Sequence, residues 1–369
     1  MPLASRPAAG AASPSARRRA VPPRLAALAL AALCALAPHA GAQKRDAPRS
    51  RGERVTVVRA QHLMGAELVA TVEAVDSARA VAALEAGFAE IARLEQVLSA
   101  ALEGSEAARV NAAGAQVRVP LSKDLHAALA RAIELARETD GAFDPTVGPL
   151  TRAWDARGEG RAPDADEIAD ARSRIGWPRL VVEPAGRTLW VQREGMELDL
   201  DGLARGWALE RAEAVMRPLG VRRAKLDFGA EVLAWADERA FGIGVPHPLE
   251  RGRPVVGLTL MNGAAATACG ADAARASGAR PARLVLDPRR GAPVGGAASV
   301  TVAGRSGARA DALADALLVL GRDGAERWAR EHPGDGVLWL EPEGAGVRAW
   351  RWNLPAARAL PGAEVRWMN

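Results

Sequence analysis

The chain is predicted to fold as an α+β protein, with mixed sheets on which helices pack. Strand-like runs of Val, Leu and Ala recur along it, and amphipathic helical stretches stand between groups of these runs rather than in strict alternation. No glycine-rich dinucleotide fingerprint follows any strand-like run, which argues against a doubly wound nucleotide-binding sheet.

Residues 1–42 read as a Sec-type leader. Arg17, Arg18, Arg19 and Arg24 are basic, the stretch from Leu25 to Leu36 is apolar but too short to span a bilayer, and Ala40, Gly41 and Ala42 suit cleavage. Leu33 before Cys34 does not fit a lipoprotein signal. The expected location is therefore exported, in a periplasm. After the leader come two strand-like runs, Arg54 to Arg59 and Glu67 to Glu73, around a turn at Met64–Gly65. Apolar Val81, Leu84, Phe88, Ile91, Leu94 and Leu98 recur at spacings of three and four, so a long helix is expected over Ser77–Leu102. Glu103 to Asn111 reads as a polar loop, Lys123 to Glu138 as a second helix, and 155–176 as a surface helix and loop. Strands Arg179–Glu183 and Thr188–Gln192 flank the turn at Pro184–Gly186. A helix follows over Leu203–Leu219. Short strands are expected at Ala224–Phe228, Val255–Leu260, Arg283–Leu286 and Ser299–Val302, then a helix at Ala308–Leu320. Gly336–Leu340 and Val347–Trp352 read as edge strands.

Composition narrows the function classes. Of the 49 Lys and Arg, five lie in residues 1–42, which leaves 44 against 44 Asp and Glu. A balanced chain carries no nucleic-acid footprint. Beyond the leader Cys269 stands alone, so no disulfide framework exists. About 327 residues remain after the leader, enough for two lobes or one large domain. His62, His126, His247 and His332 show no metal-ligand spacing.

Three segments carry chemistry. In Thr139–Leu150, two carboxylates (Asp140, Asp144), two glycines and two prolines surround Phe143 directly after a helix. Pro145 pushes Asp144 toward extended backbone, and Gly141 permits a left-handed helix exit. A rigid loop presenting a carboxylate is expected there. Asp311 and Asp315 stand at i and i+4 of a helix that is apolar nearly all round. Like charges at that spacing repel by roughly 0.2–0.5 kcal/mol, and buried carboxylates need a partner or a cation. A hard divalent ion such as Mg²⁺ meets both needs through oxygen ligands; acids at a helix start, stabilised by the dipole, are the plainer alternative. In Leu198–Gly206, Asp199, Asp201 and Arg205 cluster where a strand passes through a Gly turn into a helix. Helix N-termini bind phosphate, and Arg205 suits phosphate oxygens; a plain strand-to-helix loop with an internal Asp–Arg pair is the alternative. Leu286–Gly291 alone reads as a turn.

Taken in order, these segments resemble the bacterial FAD:protein FMN transferases, the ApbE family. The resemblance runs from about Met64 to Gly321. It rests on Met64–Gly65, Ser105–Glu106 with Asn111, Thr139–Leu150, Asp199–Trp207, Leu226–Gly229, Gly244–Pro248, Asp287–Gly291 and Asp311–Gly321. It implies an exported α+β enzyme over residues 43–352, with 353–369 left as a tail. Such enzymes bind FAD as substrate and Mg²⁺. They move FMN onto a threonine hydroxyl of a membrane or exported flavoprotein and release AMP. Carried over residue by residue, the metal ligands fall on Asp311 and Asp315 with the carbonyls of Gly202 and Ala314. The flavin contacts fall on Met64, Ala142, Phe143, Asp144, Asp199 and Arg205. Asp311 and Arg205 are the expected catalytic residues.

The chain departs from the family at several positions. Asp315 stands where Thr is usual, and Leu284 where a His commonly precedes the Asp–Pro pair. Ala268, Cys269 and Gly270 replace Thr-Ser-Gly. Asp201 replaces a Gly, Arg205 a Lys and Trp207 a Tyr, while Asp227 and Ala230 alter an Asn and a Gly-Gly pair. Loss of the His and the Asp at 315 make a second reading live, a Mg²⁺-dependent FAD pyrophosphatase yielding FMN and AMP; a non-catalytic FAD-binding protein is the third.

Overall fold

The first two strands form a hairpin. Strand β1 (Val55–Leu63) pairs antiparallel with β2 (Ala66–Ala74), from Val55 opposite Ala74 to Leu63 opposite Ala66. Both turn residues, Met64 and Gly65, have positive φ, 49° and 71°. Such a turn matches the right-handed twist of the strands, although a left-handed Met costs on the order of 1 kcal/mol. Leu68, Ala70, Val72 and Ala74 face inward on β2 and are buried. The structure, a computed structural model, describes residues 54–158, 160–272 and 284–368, which fall in one compact unit. The expected leader, residues 1–42, lies outside the described residues, as does Arg283 of one expected strand.

Helix α1 (Ser77–Leu98) lays its apolar stripe on this hairpin and ends four residues before the expected Leu102, where Ser99 turns extended. The expected loop at Glu103–Asn111 is mostly helix α2 (Glu106–Ala113). Ser105 caps it by accepting from Ala108 N at 3.0 Å, a start signal masked by the polar composition. After β3 (Arg118–Pro120), helix α3 (Lys123–Glu138) has the expected bounds and is capped by Ser122. Two short helices follow, α4 (Gly148–Ala153) and α5 (Ala165–Ser173), the second closed by a capping box between Asp164 and Glu167. Strands β4 (Leu180–Glu183) and β5 (Thr188–Val191) join β3 in a small sheet of order β3-β5-β4. Helix α6 (Asp201–Met216) begins two residues before the expected Leu203.

The main sheet continues with β6 (Arg223–Asp227) and β7 (Glu231–Ala236). Strands β8 (Phe241–His247) and β9 (Glu250–Leu260) leave it as a separate hairpin, and β10 (Asn262–Cys269) returns to it. A two-residue pair, β11 (Leu286–Asp287) and β12 (Ala292–Pro293), precedes β13 (Ser299–Gly304). Helix α7 (Gly307–Glu331) runs past the expected Leu320 through a break at Gly321, whose φ is 74°. The chain closes with β14 (Gly336–Glu343), β15 (Gly346–Trp352), β16 (Arg358–Ala359) and β17 (Val365–Trp367). The nine-stranded sheet has the order β1-β2-β6-β7-β10-β13-β14-β15-β17, antiparallel but for the last pair. Strands β14 and β15, both expected at an edge, are therefore interior. Residues 353–369, expected as a tail, supply the edge strand β17, and Arg358 and Ala359 pair with β9.

Three layers result. Helices α1, α6 and α7 pack side by side on one face, over β1–β2, β7 and β10–β13 respectively. The other face is covered by β8, β9 and β16, through Val245, Val255, Val256 and Leu258 against Leu338, Leu340, Val347 and Ala349. Strand β10 reads Asn-Gly-Ala-Ala-Ala-Thr-Ala-Cys, with little intrinsic strand preference; it is held by pairing on both sides and burial between layers. Each large apolar side chain buried in these layers contributes about 1.5–3 kcal/mol relative to exposure.

Candidate active site

The loop after α3 is built from a helix stop. Gly141 N donates to Ala136 O (2.8 Å) and Asp140 N to Arg137 O (3.2 Å), a paired closure of the last turn. Asp140 itself takes the left-handed position with φ 49°, and Gly141 follows at 70°. Thr139 Oγ1 donates to Leu135 O and accepts from Phe143 N at 3.2 Å. Asp144 then acts as a clamp. Its Oδ1 accepts from Thr146 N (2.8 Å) and Thr146 Oγ1 (2.6 Å), and its Oδ2 from Trp177 N (3.1 Å). Burial pushes its pKa above the ordinary 3.8 despite these donors.

The raised pKa has a defined sign. Asp144 stabilises the fold fully below the ordinary value, and that contribution fades as pH rises through its folded value. Asp144→Asn misplaces an amide N–H against one donor and costs about 1–3 kcal/mol. We expect the melting advantage of the wild type over Asp144→Asn to narrow from about pH 4 to pH 7. An advantage that widens over that range contradicts the assignment.

A second carboxylate is fixed beside the first. Asp199 N donates to Pro145 O at 2.8 Å, which ties the two loops together. Asn111 grips the neighbouring backbone from both sides, donating to Leu198 O (3.0 Å) and accepting from Leu198 N (2.7 Å). The buried Asp199 carboxylate accepts from Thr151 Oγ1 (2.6 Å) and Asp201 N (3.1 Å), and its Oδ1 lies 2.8 Å from Arg157 Nη2. Burial, then the Asp201 charge, raises its pKa against the pull of Arg157.

Helices α6 and α7 cross at Gly206 and Gly307. A Cβ on Gly206 would lie 2.1 Å from Gly307 O, so only glycine permits this approach. Glu210 Oε1 accepts from Ser306 Oγ (2.7 Å) and Ala308 N (3.1 Å), pinning the start of α7 to α6. The crossing sets the two acids along the first turns of α6. Asp311, 2% exposed, accepts from Gly206 N at 3.1 Å. In a regular helix that N–H serves the Gly202 carbonyl, so Asp311 draws on the donor of a carbonyl that was itself singled out. One turn on, Asp315 Oδ2 and Phe143 Cε2 each lie 3.0 Å from where a Gly202 Cβ would stand.

These groups border one cleft of about 620 Å³, counting space open to solvent. Ala142, Phe143, Asp144, Asp199, Gly202 and Asp315, all singled out from sequence, line it. Met64, Arg205, Asp311 and Ala314 do not. Asp311 sits behind Asp315 against α6, and Ala314 is buried in the apolar side of α7. Arg205 Nη1 is paired with both oxygens of the buried Glu231, at 3.2 and 3.1 Å. Met64 packs on the α1 core at the β1–β2 turn. Register nevertheless sets these groups at the same end of the sheet: Val69 pairs with Asp227, and Thr267 N donates to Ala230 O at 2.9 Å. From that end Ala271 N donates to Val294 O (2.8 Å) and Val294 N to Val285 O (2.8 Å), which carries Leu284–Leu286 to the opposite wall.

Several contributors were not foreseen. Arg157, Thr151 and Leu286 line the cleft, and Glu210 and Thr146 brace it. The need of Asp199 and Asp201 for a cation was the available signal for Arg157. Ser105 and Glu106, which carried part of the resemblance, serve the scaffold: Glu106 Oε1 accepts from Ser122 N at 2.7 Å. Among the described residues no group of three His, Cys, Asp or Glu side chains converges as a metal site. The donors at the crossing are two carboxylates and a helical carbonyl, a hard-oxygen set that suits a divalent cation completed by substrate or water.

Comparison with known proteins gives a consistent result. A model described as "ApbE family" matches residues 50–339. The FAD:protein FMN transferase of Treponema pallidum (strain Nichols) is 27% identical over 303 residues, 77% of this chain and 83% of that one. The enzyme of the same name from Klebsiella pneumoniae (strain 342) is 27% identical, with 84% and 91% covered. The apo crystal structure of Pseudomonas stutzeri flavinyl transferase ApbE superposes with a TM-score of 0.68 at 24% identity, covering 84% of this chain and 95% of the other. That likeness establishes the α+β fold.

Proposed function

This chain belongs to the ApbE family, and from that membership we propose that it is an exported, Mg²⁺-dependent FAD:protein FMN transferase. It moves FMN from FAD onto a threonine hydroxyl of a membrane or exported flavoprotein. The observation that carries the reading is the crossing of α6 and α7, which brings Asp315 against Gly202 and Phe143 in a cleft bordered by Asp144 and Asp199. The named activity of the curated relatives supports it, and the leader-like residues 1–42 support export.

The reaction is a phosphoryl-type transfer. The acceptor oxygen bonds to the flavin-side phosphorus, the bond from that phosphorus to the bridging oxygen breaks, AMP leaves with that oxygen, and the hydroxyl proton is released. Charge neutralisation and positioning dominate such transfers. Asp311, Asp315 and the carbonyls of Gly202 and Ala314 would hold the cation, which supplies Lewis acidity at a diphosphate oxygen. Ala142–Asp144 and Asp199 would hold and orient the flavin nucleotide from the cleft, with Met64 and Arg205 meeting it from the same end of the sheet. Glu231 fixes the Arg205 guanidinium, so little orientational freedom is left to lose when it engages its ligand. Incubation with FAD, Mg²⁺ and a flavoprotein or peptide acceptor is expected to give an FMN mass adduct and AMP. Failure to bind FAD ends the reading.

One observation favours a second reading. Leu284 lines the cleft where the family commonly has a His, so no imidazole assists deprotonation there. Water then competes with the acceptor, and the product is free FMN with AMP, as in an FAD pyrophosphatase. General-base assistance contributes about 10²–10⁴-fold, so we expect Leu284→His to raise adduct formation at least about tenfold relative to AMP release. An unchanged ratio would show that the imidazole position plays no part. Tight FAD binding without any AMP would leave a non-catalytic flavin-binding protein.

A further inference from the structure

Building on the functional reading above, we propose that Arg157 is a substrate-binding residue that donates to the diphosphate of the flavin dinucleotide. The cleft lining carries four carboxylates, Asp144, Asp199, Asp201 and Asp315, and Arg157 is its one cation among the described residues. Arg157 is therefore the positively charged group that a diphosphate entering the cleft would meet among the described residues.

The guanidinium is oriented before any ligand arrives. Its Nε donates to Asp201 Oδ2 at 2.9 Å, and its Nη2 lies 2.8 Å from Asp199 Oδ1. Burial draws its pKa down and the two carboxylates more than reverse that, so it stays a cation. Nη2 meets Asp199 as an ion pair without hydrogen-bond geometry, and Nη1 meets no acceptor among the described residues. The side chain is one-third exposed, at 34%. The turn that bears it is anchored at both walls: Ala156 N donates to Thr151 O (2.9 Å) and Trp154 Nε1 to Gly291 O (2.8 Å). A planar fork held on two sides with its third edge open suits a phosphate oxygen, and the fixed plane lowers the ordering cost of binding.

Flavin-fluorescence titrations of the full chain with Mg²⁺ test this, using FAD and phosphate-free riboflavin as probes over a range of salt. Arg157→Ala is expected to weaken FAD at least about tenfold, to leave riboflavin within about twofold, and to flatten the salt dependence of FAD binding. Arg157→Lys recovers part of the loss. Asp201→Asn keeps the guanidinium and removes a competing carboxylate, so FAD binds at least as tightly as to wild type; it decides the matter if Arg157→Ala does not fold. Undiminished FAD binding by Arg157→Ala, equal losses for both probes, or weaker FAD binding by Asp201→Asn overturns the proposal while leaving the transferase reading intact. A wild type that binds no FAD overturns both.

Discussion

Asp311→Asn is expected to leave the protein folded and to slow Mg²⁺-dependent FMN transfer by about three orders of magnitude. The amide oxygen still accepts the Gly206 N–H that Asp311 now takes at 3.1 Å, so the helix crossing keeps its polar contact. What disappears is the negative charge beside Asp315 and the Gly202 carbonyl. A divalent cation contributes several kcal/mol to such a transfer, and about 4 kcal/mol corresponds to about 10³ in rate. Asp311→Ala also removes the contact to Gly206 N and costs a further about 0.5–1.5 kcal/mol of stability. Adduct formation measured against Mg²⁺ concentration, beside thermal melts, separates the two effects. Wild-type rates for Asp311→Asn at equal Mg²⁺ would remove these acids from the chemistry.

Gly206→Ala is expected to destabilise the fold by about 3 kcal/mol or more, at the upper end of overpacking costs. This runs against local preference, since Ala is a better helix former than Gly by about 1 kcal/mol. The added methyl would lie 2.1 Å from Gly307 O, 2.4 Å from Gly307 C and 2.8 Å from Ala308 N. All three are backbone atoms of α7, so no rotamer relieves the clash and the helices must separate. Separation also draws Asp315 away from Gly202, so transfer falls beyond the stability loss. Gly242→Ala, with open space around the new Cβ, is the control. Equal melting temperatures for the two variants would contradict the close crossing.

Local patterns made much of this legible. Helix α3 has its expected bounds because Ser122 and the Thr139–Gly141 stop are both written in the sequence. The i, i+4 acids and the Asp144 loop were readable for the same reason. Strand β10 was not, because its Ala and Gly residues become a strand only through partners distant in sequence. Strand β7 escaped likewise. The bond from Gly206 to Asp311 spans 105 positions, and Arg157 lies in a charged stretch that resembles ordinary surface until Asp199 and Asp201 are set beside it. Arg205 was expected to face phosphate; its pairing with Glu231 depended on a β7 that was not seen.

The nine-stranded sheet has its strands in the same order as the chain, from β1 at one margin to β17 at the other. No strand therefore has to be threaded between two that are already joined. As the polypeptide lengthens from its N-terminus, each newcomer can add to a finished border, while the excursions that build the cleft leave and return without crossing it. The final margin is made by Val365–Trp367. Loss of Val365–Trp367 would bare the β15 border and invite association between copies, even though every residue assigned to chemistry would still be present.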